Sequence, residues 1–539
     1  MISKKMTRFV RILLITAFIA PCLSAVAFAA NYYVDSVSGN DSNTGALTAP
    51  WRSVAKVKAT ALKAGDAVYF KCGGAWDELL SPATGASGNP VVYGAYGTGN
   101  RPVIRGFSAD GKSYVRFEGI TFKNGSSSHP GLITNSSHHI SVVNCDIIAD
   151  TSNSTWAALY ILNNSHHNEI IGCNIEHRNT GRQSDAVNLR LNANYNLIKN
   201  NKIGAATHYA LSLEGNSDAY PSYTCNYNVI VNNVINNPNG AQMSLQSESS
   251  NNVVDGNIIS GGKSTSYCAN LPRSFKNVSR NNIIRRNVIK DNTESTASGL
   301  GTEVYAYNNY PANIATGNRT YNNVMTNINK YPVVMATNGD TGATAYNNIY
   351  KNNIVYNNIS AYQAVIQANT AIKDNYFQNN LFYKSGVTNV LSIGGVGKSV
   401  AGAESGDPSH WVGNVQKDPY LGVDFRPVSG SPCIDTGAFL TSVTSASGSG
   451  YTITVADARY FTDGYGIFPG DLIRVGSTTA NIAAIDYSTN KITFKEQMSW
   501  QQGAAVSLPY SGNKPDIGAF ENGNSATALL APMNLRVVN

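Results

Sequence analysis

Charge is scarce in this chain: Asp, Glu, Lys and Arg together make up 14% of its 539 residues, against 42% hydrophobic residues. Disorder driven by charge is therefore excluded, and a folded protein is expected. Long apolar runs are lacking too. Only Leu13 to Phe28 approaches the ~18 continuous apolar residues that a spanning helix needs, so no membrane insertion is expected. Cysteine is sparse, with 7 in the whole chain, no CxxC and no paired His/Cys spacing, which leaves no zinc motif.

The one apolar stretch has a processing explanation. Lys4, Lys5, Arg8 and Arg11 precede it, and Ala27-Phe28-Ala29 closes it as a small-x-small cleavage signal. Residues 1–30 read as a signal peptide, and the expected localisation is secreted, extracellular or periplasmic. Lipid attachment at Cys22 is disfavoured because Pro21 stands where a small residue is wanted. Without the signal segment, 36 Lys and Arg face 33 Asp and Glu, so the apparent basicity of the full chain mostly disappears and nucleic acid is not an expected partner. Export makes disulfides chemically accessible, yet six cysteines over some 500 residues are too few for a disulfide framework. Cys145 and Cys173 read as buried fillers, and Cys225 with Cys268 as the one pair able to bridge neighbouring loops.

What the chain has in abundance is asparagine. Of its 65 Asn, 49 lie between residues 151 and 389, inside short Ile/Val-rich strings that align on Gly119, Cys145, Cys173, Asn201, Asn233, Asn257, Asn287, Asn323, Asn353 and Asn380. The intervals vary from 24 to 36 residues around a constant core. A fixed strand-turn-strand element with variable loops is how solenoid coils behave. A second strand with period-2 alternation recurs in each unit, as in Leu159-Tyr160-Ile161, Val187-Asn188-Leu189-Arg190-Leu191, Leu211-Ser212-Leu213-Glu214 and Met243-Ser244-Leu245-Gln246. Corner asparagines tolerate left-handed backbone, and their amides can bond from rung to rung. His138-His139 and His166-His167, 28 residues apart in matching coils, read as corner repeats.

These repeats resemble the right-handed parallel β-helix proteins, the superfamily that includes pectate-lyase-like, alginate-lyase-like and polygalacturonase-like enzymes. The resemblance covers residues 100–390. It extends to flanking segments of secreted members: the opening YYVDSVSGNDSNTGALTAPWRSVAKV, the late DPYLGVDFRPVSGSPCIDTGA and the closing PDIGAFE. It implies an all-β fold of about ten coils, with lyases, hydrolases, epimerases and non-catalytic adhesins all compatible with that architecture. The chain carries no Asp-Pro-His, Gly-Asp-Asp, Gly-His-Gly or Trp-Ile-Asp-His signature. The expected organisation is an N-terminal cap and first strands over 31–100, with a cap helix within Trp51 to Lys63, then a β-helix with its C-terminal coils over 101–440. An inserted small β-domain over 441–509 and a closing strand with a flexible tail over 510–539 complete it.

Where long loops and outward polar positions coincide, a site is expected. Tyr160, Asn188, Ser212 and Ser244 fall in one outward ladder, and Leu162, Arg190, Glu214 and Gln246 in the next. The charged loop from Glu176 to Asp185 rises beside them, and an insertion carrying Tyr220 and Tyr223 follows. β-Elimination of a uronate polymer needs its carboxylate neutralised, a base for the C5 proton, and an acid or water for the leaving oxygen. Arg182 and Arg190 suit the first task, His208 or His177 the second, Tyr209 or Tyr220 the third. Arg190 with Glu214 reads equally well as a plain ladder salt bridge. Hydrolysis would need two carboxylates ~5–10 Å apart, for which Asp185 and Glu214 are the one pair on this face. No metal is expected; calcium would suit an acidic polysaccharide, but no cluster of carboxylates or calcium repeat supports it. A polysaccharide is the expected partner, met either by a lyase or by a non-catalytic glycan-binding surface protein.

Overall fold

The computed structural model describes residues 29–262, 267–270, 277–294, 298–304, 313–337, 343–367 and 370–523. The expected signal segment, apart from Ala29 and Ala30, and most of the expected C-terminal tail lie outside them. Among the described residues no helix is long and apolar enough to cross a membrane.

The chain winds into an all-β parallel β-helix. Fourteen short strands, from Asn31–Val34 to Trp411–Val412, pair in parallel into one wall. Ten of them, from Ser113–Glu118 to Tyr376–Gln378, are the coils marked by the sequence repeat, and the wall extends past it at both ends. Alternation fills the interior: Leu159 and Ile161, Val187 and Leu189, Leu211 and Leu213, and Met243 and Leu245 stack rung on rung, each fully buried. Cys145 and Cys173 fill the same core.

Asparagine does two jobs that the sequence pattern merged. The residue with left-handed backbone precedes each asparagine anchor, as at Asn200, Asn232, Asn322 and Asn352, where φ runs from 52° to 58°; at the first coil Gly119 itself takes that place. The anchor itself turns inward and builds a ladder. Asn201 Nδ2 donates to Asn233 Oδ1 at 3.0 Å, Asn233 to Asn257 at 3.0 Å, and the chain of amides runs on through Asn287, Asn323, Asn353 and Asn380 to Asn414. A second ladder, invisible in the anchor alignment, runs from Asn168 through Asn196, Asn228, Asn252, Asn282, Asn318 and Asn348 to Asn375. The two flank each three-residue strand and satisfy the buried polar groups at its ends.

The histidine pairs are stacked repeats. His138 lies on His166 with ring centroids 5.2 Å apart, and the column Tyr114, His139, His167, Tyr195 and Tyr227 stacks at 4.7 to 5.4 Å. Burial and mutual repulsion depress the pKa values of His139 and His166.

Both ends of the stack are covered. The cap helix Val54–Ala59 buries Val54 and Val57 and is N-capped by Ser53, whose hydroxyl accepts from Lys56 N–H at 3.0 Å. A second helix, Val400–Gly406, which the sequence pattern did not announce, buries Val400 and Ala403 at the far end.

A six-stranded sheet spanning Thr441–Ser442 to Ala505–Ser507 forms the inserted domain. Its flanks are joined: Ile517 N–H donates to Cys433 O and Gly437 N–H to Pro515 O. It covers an apolar outer face of the fourteen-stranded wall, where Leu197, Val229, Val253, Ile283 and Tyr321 pack against Ile473, Ile482 and Phe494. Strings such as Val229–Val231 are apolar throughout because both their faces are buried. Charge locks the contact. Arg285 donates to Asp471 at 2.8 and 2.6 Å and to Asp255 at 2.9 Å, Arg319 donates to Asp457 at 3.0 and 2.7 Å, and the Tyr321 hydroxyl donates to Tyr460 O.

The bridge between Cys225 and Cys268 does not form. Cys225 is a free, buried thiol that donates to Ala193 O at 3.2 Å, and the Cys268 side chain lies outside the described residues. The inward face of the coil holds Cys225 among core side chains.

Candidate functional site

Strands Ala157–Leu162, Asp185–Arg190, Tyr209–Glu214 and Ala241–Gln246 carry the candidate face. Their register is the expected one: Tyr160 pairs with Asn188, Asn188 with Ser212 and Ser212 with Ser244, while Arg190 pairs with Glu214 and Glu214 with Gln246. One local feature reshapes the face. Ala158, Ala186 and Ala210 join the core beside Leu159, Val187 and Leu211, so two consecutive residues turn inward where each strand begins. Alternation breaks there, and Asp185 emerges on the same side as Asn188.

Asp185 is the hub. It is 3% exposed, and its carboxylate accepts four hydrogen bonds: from His208 Nδ1–H at 2.9 Å, Tyr209 N–H at 3.0 Å, Asn188 Nδ2 at 2.7 Å and the Ser212 hydroxyl. An acceptor at Nδ1 puts the ring proton there, so a neutral His208 presents a bare Nε2 lone pair. The His208 side chain is 45% exposed, and the Tyr209 ring meets it edge-on at 4.1 Å. A buried carboxylate thus orients a solvent-facing imidazole.

The two arginines differ. The Arg190 guanidinium lies 3.4 Å from the Glu214 carboxylate and 3.5 Å from the Tyr160 hydroxyl, so its charge is already answered within the ladder. Burial raises the Tyr160 phenol pKa, and His129, a residue the pattern did not single out, packs its ring 5.2 Å away. Arg182 has no carboxylate partner among the described residues. It donates to Ser154 O and lies 4.3 Å over the ring of Trp156, which remains 61% exposed.

The structure places the other expected residues as follows. His177 is not a loop residue facing substrate: it ends the strand Asn174–His177 fully buried, its Nε2 bonded to Thr155 O at 3.0 Å, because alternation carries it inward. Gln246 and Ser244 occupy outward positions yet are buried, and Asn188 is nearly so. Tyr220 is exposed and stacks on Tyr223 at 4.9 Å, but it follows the strand end at Glu214, away from His208 at the strand start. Glu214 is level with Arg190, five residues along the strand from Asp185, and both carboxylates act on the Arg190 guanidinium between them.

Polar atoms on the face are left unanswered. Asn188 Oδ1 and Ser244 Oγ are buried without a hydrogen-bond partner. Such groups are costly, and these two have no partner among the described residues. Among the described residues no group of three or more His, Cys, Asp or Glu side chains is placed to hold a metal ion.

No family model matches this chain, and no curated protein does. Solved structures with a similar course of the backbone include XylC in complex with xylose, at 12% identity and a TM-score of 0.43 over 88% of this chain and 99% of that one. The pectate lyase Pel9A matches at 16% identity and 0.42 over 92% and 97%. A PL6 family polysaccharide lyase from Pseudopedobacter saltans matches at 16% identity and 0.46 over 69% and 93%.

Proposed function

We propose that the protein is a carbohydrate-active enzyme that cleaves a uronate-containing polysaccharide by β-elimination. One observation carries this reading: a buried carboxylate fixes Nδ1 of an exposed histidine on a face that also carries Arg182 and Arg190. Neutralising the substrate carboxylate acidifies the neighbouring C5–H bond. His208 Nε2 takes the C5 proton, the C5–H electrons become the C4–C5 double bond, and the C4–O bond breaks. The departing oxygen takes a proton from the Tyr209 hydroxyl or from water. Asp185 keeps its four donors and stabilises the imidazolium that forms.

Hydrolysis finds less support, since Asp185 is saturated with hydrogen bonds and Glu214 is paired with Arg190. A purely binding surface would use the same exposed Trp156 and Tyr220. Purified protein incubated with alginate, pectate, chondroitin and neutral glucans separates these readings. Unsaturated uronate ends, read by ultraviolet absorbance, are expected. Reducing ends without unsaturation would overturn elimination, and binding without products would leave a glycan-binding protein.

A further inference from the structure

Trp156, Ser184 and His208 each stand one residue before a strand of the same sheet, and backbone bonds link them rung to rung: Asp185 N–H donates to Trp156 O at 2.8 Å and His208 N–H to Ser184 O at 3.0 Å. Trp156 and His208 are therefore two rungs apart at one edge of the face, ~10 Å at the usual strand spacing. The sequence offered no repeat equivalent of Trp156, since the matching positions in the next coils are Ser184 and His208.

An exposed indole is unusual in this protein. Trp51, Trp76 and Trp411 are buried, whereas Trp156 keeps 61% of its surface open even though the Arg182 guanidinium covers part of one ring face. That stack leaves the opposite face free for the C–H groups of a sugar ring. It also holds over the ring a cation whose hydrogen bonds, among the described residues, are to the carbonyls of Ser154 and Gln183. Ring face and fixed cation together match one chemical class, a sugar that carries a carboxylate.

We propose that Trp156 and Arg182 form a subsite for a carboxylated sugar residue, next along the polymer from the residue that His208 attacks. The inference rests on the uronate reading of this face and adds the residue that seats the neighbouring sugar and selects for its charge. Arg182 serves there as a specificity determinant, and Trp156 as a stacking platform.

Calorimetric titration of His208→Ala protein, which holds its ligand without consuming it, tests this with short oligomers of galacturonate and of mannuronate and with their carboxyl-reduced counterparts. Trp156→Ala in that background is expected to weaken acidic oligomers by ~10-fold or more, with Trp156→Phe retaining most of the affinity. Arg182→Gln is expected to bring acidic oligomers down to the affinity of the reduced ones. Undiminished binding by both Trp156→Ala and Arg182→Gln would overturn the subsite, as would equal binding of acidic and reduced oligomers by the parent. The wild-type protein separates this inference from the reading beneath it. Unsaturated products with unchanged binding by the two variants sink the subsite alone. Binding that depends on Trp156 and Arg182 without unsaturated products sinks the lyase and leaves the subsite standing.

Discussion

Two charged clusters sit on the outside of the same solenoid, and they are built on opposite principles. Where the inserted domain docks, Arg285 is 2% exposed and every carboxylate it meets is buried and bonded. On the candidate face, Asp185 is as deeply buried, but its partner His208 is open, and Arg182 on the same face ends on backbone carbonyls. One cluster spends its charge holding two surfaces together. The other leaves charge and lone pairs facing water, which is the arrangement a site needs and a joint does not.

The largest expected effect breaks the joint. Arg285→Ala strands Asp471 without its cation and leaves Asp255 with Arg286 alone, and should cost roughly 3–5 kcal/mol, read as a fall in the unfolding midpoint. Turnover per folded molecule should survive, because the inserted domain touches another wall of the helix. Loss of turnover in the folded variant would make the two clusters one system.

His208→Ala is the converse. Turnover should fall by ~10²-fold or more while the unfolding midpoint stays within about 0.5 kcal/mol of the parent, since the ring is half exposed. A stability loss as large as that of Arg285→Ala would mean the face is a second joint.

Asn233→Leu tests what lies beneath both clusters. Its amide accepts from Asn201 and donates to Asn257, so the substitution should destabilise by ~1–3 kcal/mol. An unchanged melting temperature would contradict the ladder.

Acid and base sharpen the comparison least but with opposite signs. Burial alone would raise Asp255, yet Arg285 and Arg286 hold its pKa below the ordinary carboxylate value, and Arg319 does the same for Asp457. That stabilisation is present above pH ~4 and lost as pH falls through the lowered folded values. Glu521, which ties the closing segment to Asp516 and Ser511, is pushed up to about 8 by burial and by Asp516. Its contribution runs the other way: as pH rises from about 4.5 to about 8 the unfolded chain ionises first, and stability declines. Glu521→Gln should flatten that decline, with a residual slope from Asp516, whose pKa burial also raises. A slope unchanged by the substitution would remove Glu521 from the account.

Much of this was legible in the sequence, for reasons that particular residues explain. The pairing of Tyr160, Asn188, Ser212 and Ser244 followed from anchor spacing alone, because parallel coils stack equivalent residues at a fixed offset. The grouping of Asp185 with His208 was found, but not its geometry, which depends on the inward turn of Ala186. Small residues at Ala158, Ala186 and Ala210 were the available sign of that corner. His177 was misplaced because a charged string reads as loop unless its alternation phase is followed. Trp156 and His129 carry no repeat at all, so only the folded chain brings them to the face.

The docked domain has one more consequence, concerning how the molecule comes apart. In a stack where each turn touches only its neighbours, unfolding can start at an end and travel turn by turn. The inserted sheet lies across six successive turns, from Leu197 through Val229, Val253, Ile283 and Tyr321 to Lys351, whose ammonium reaches Leu440 O. It acts as a splint. A fray arriving from either end meets a block in which six turns must open together or not at all, so unravelling of the helix should stall at its boundaries, leaving the central turns the last to exchange their amide hydrogens.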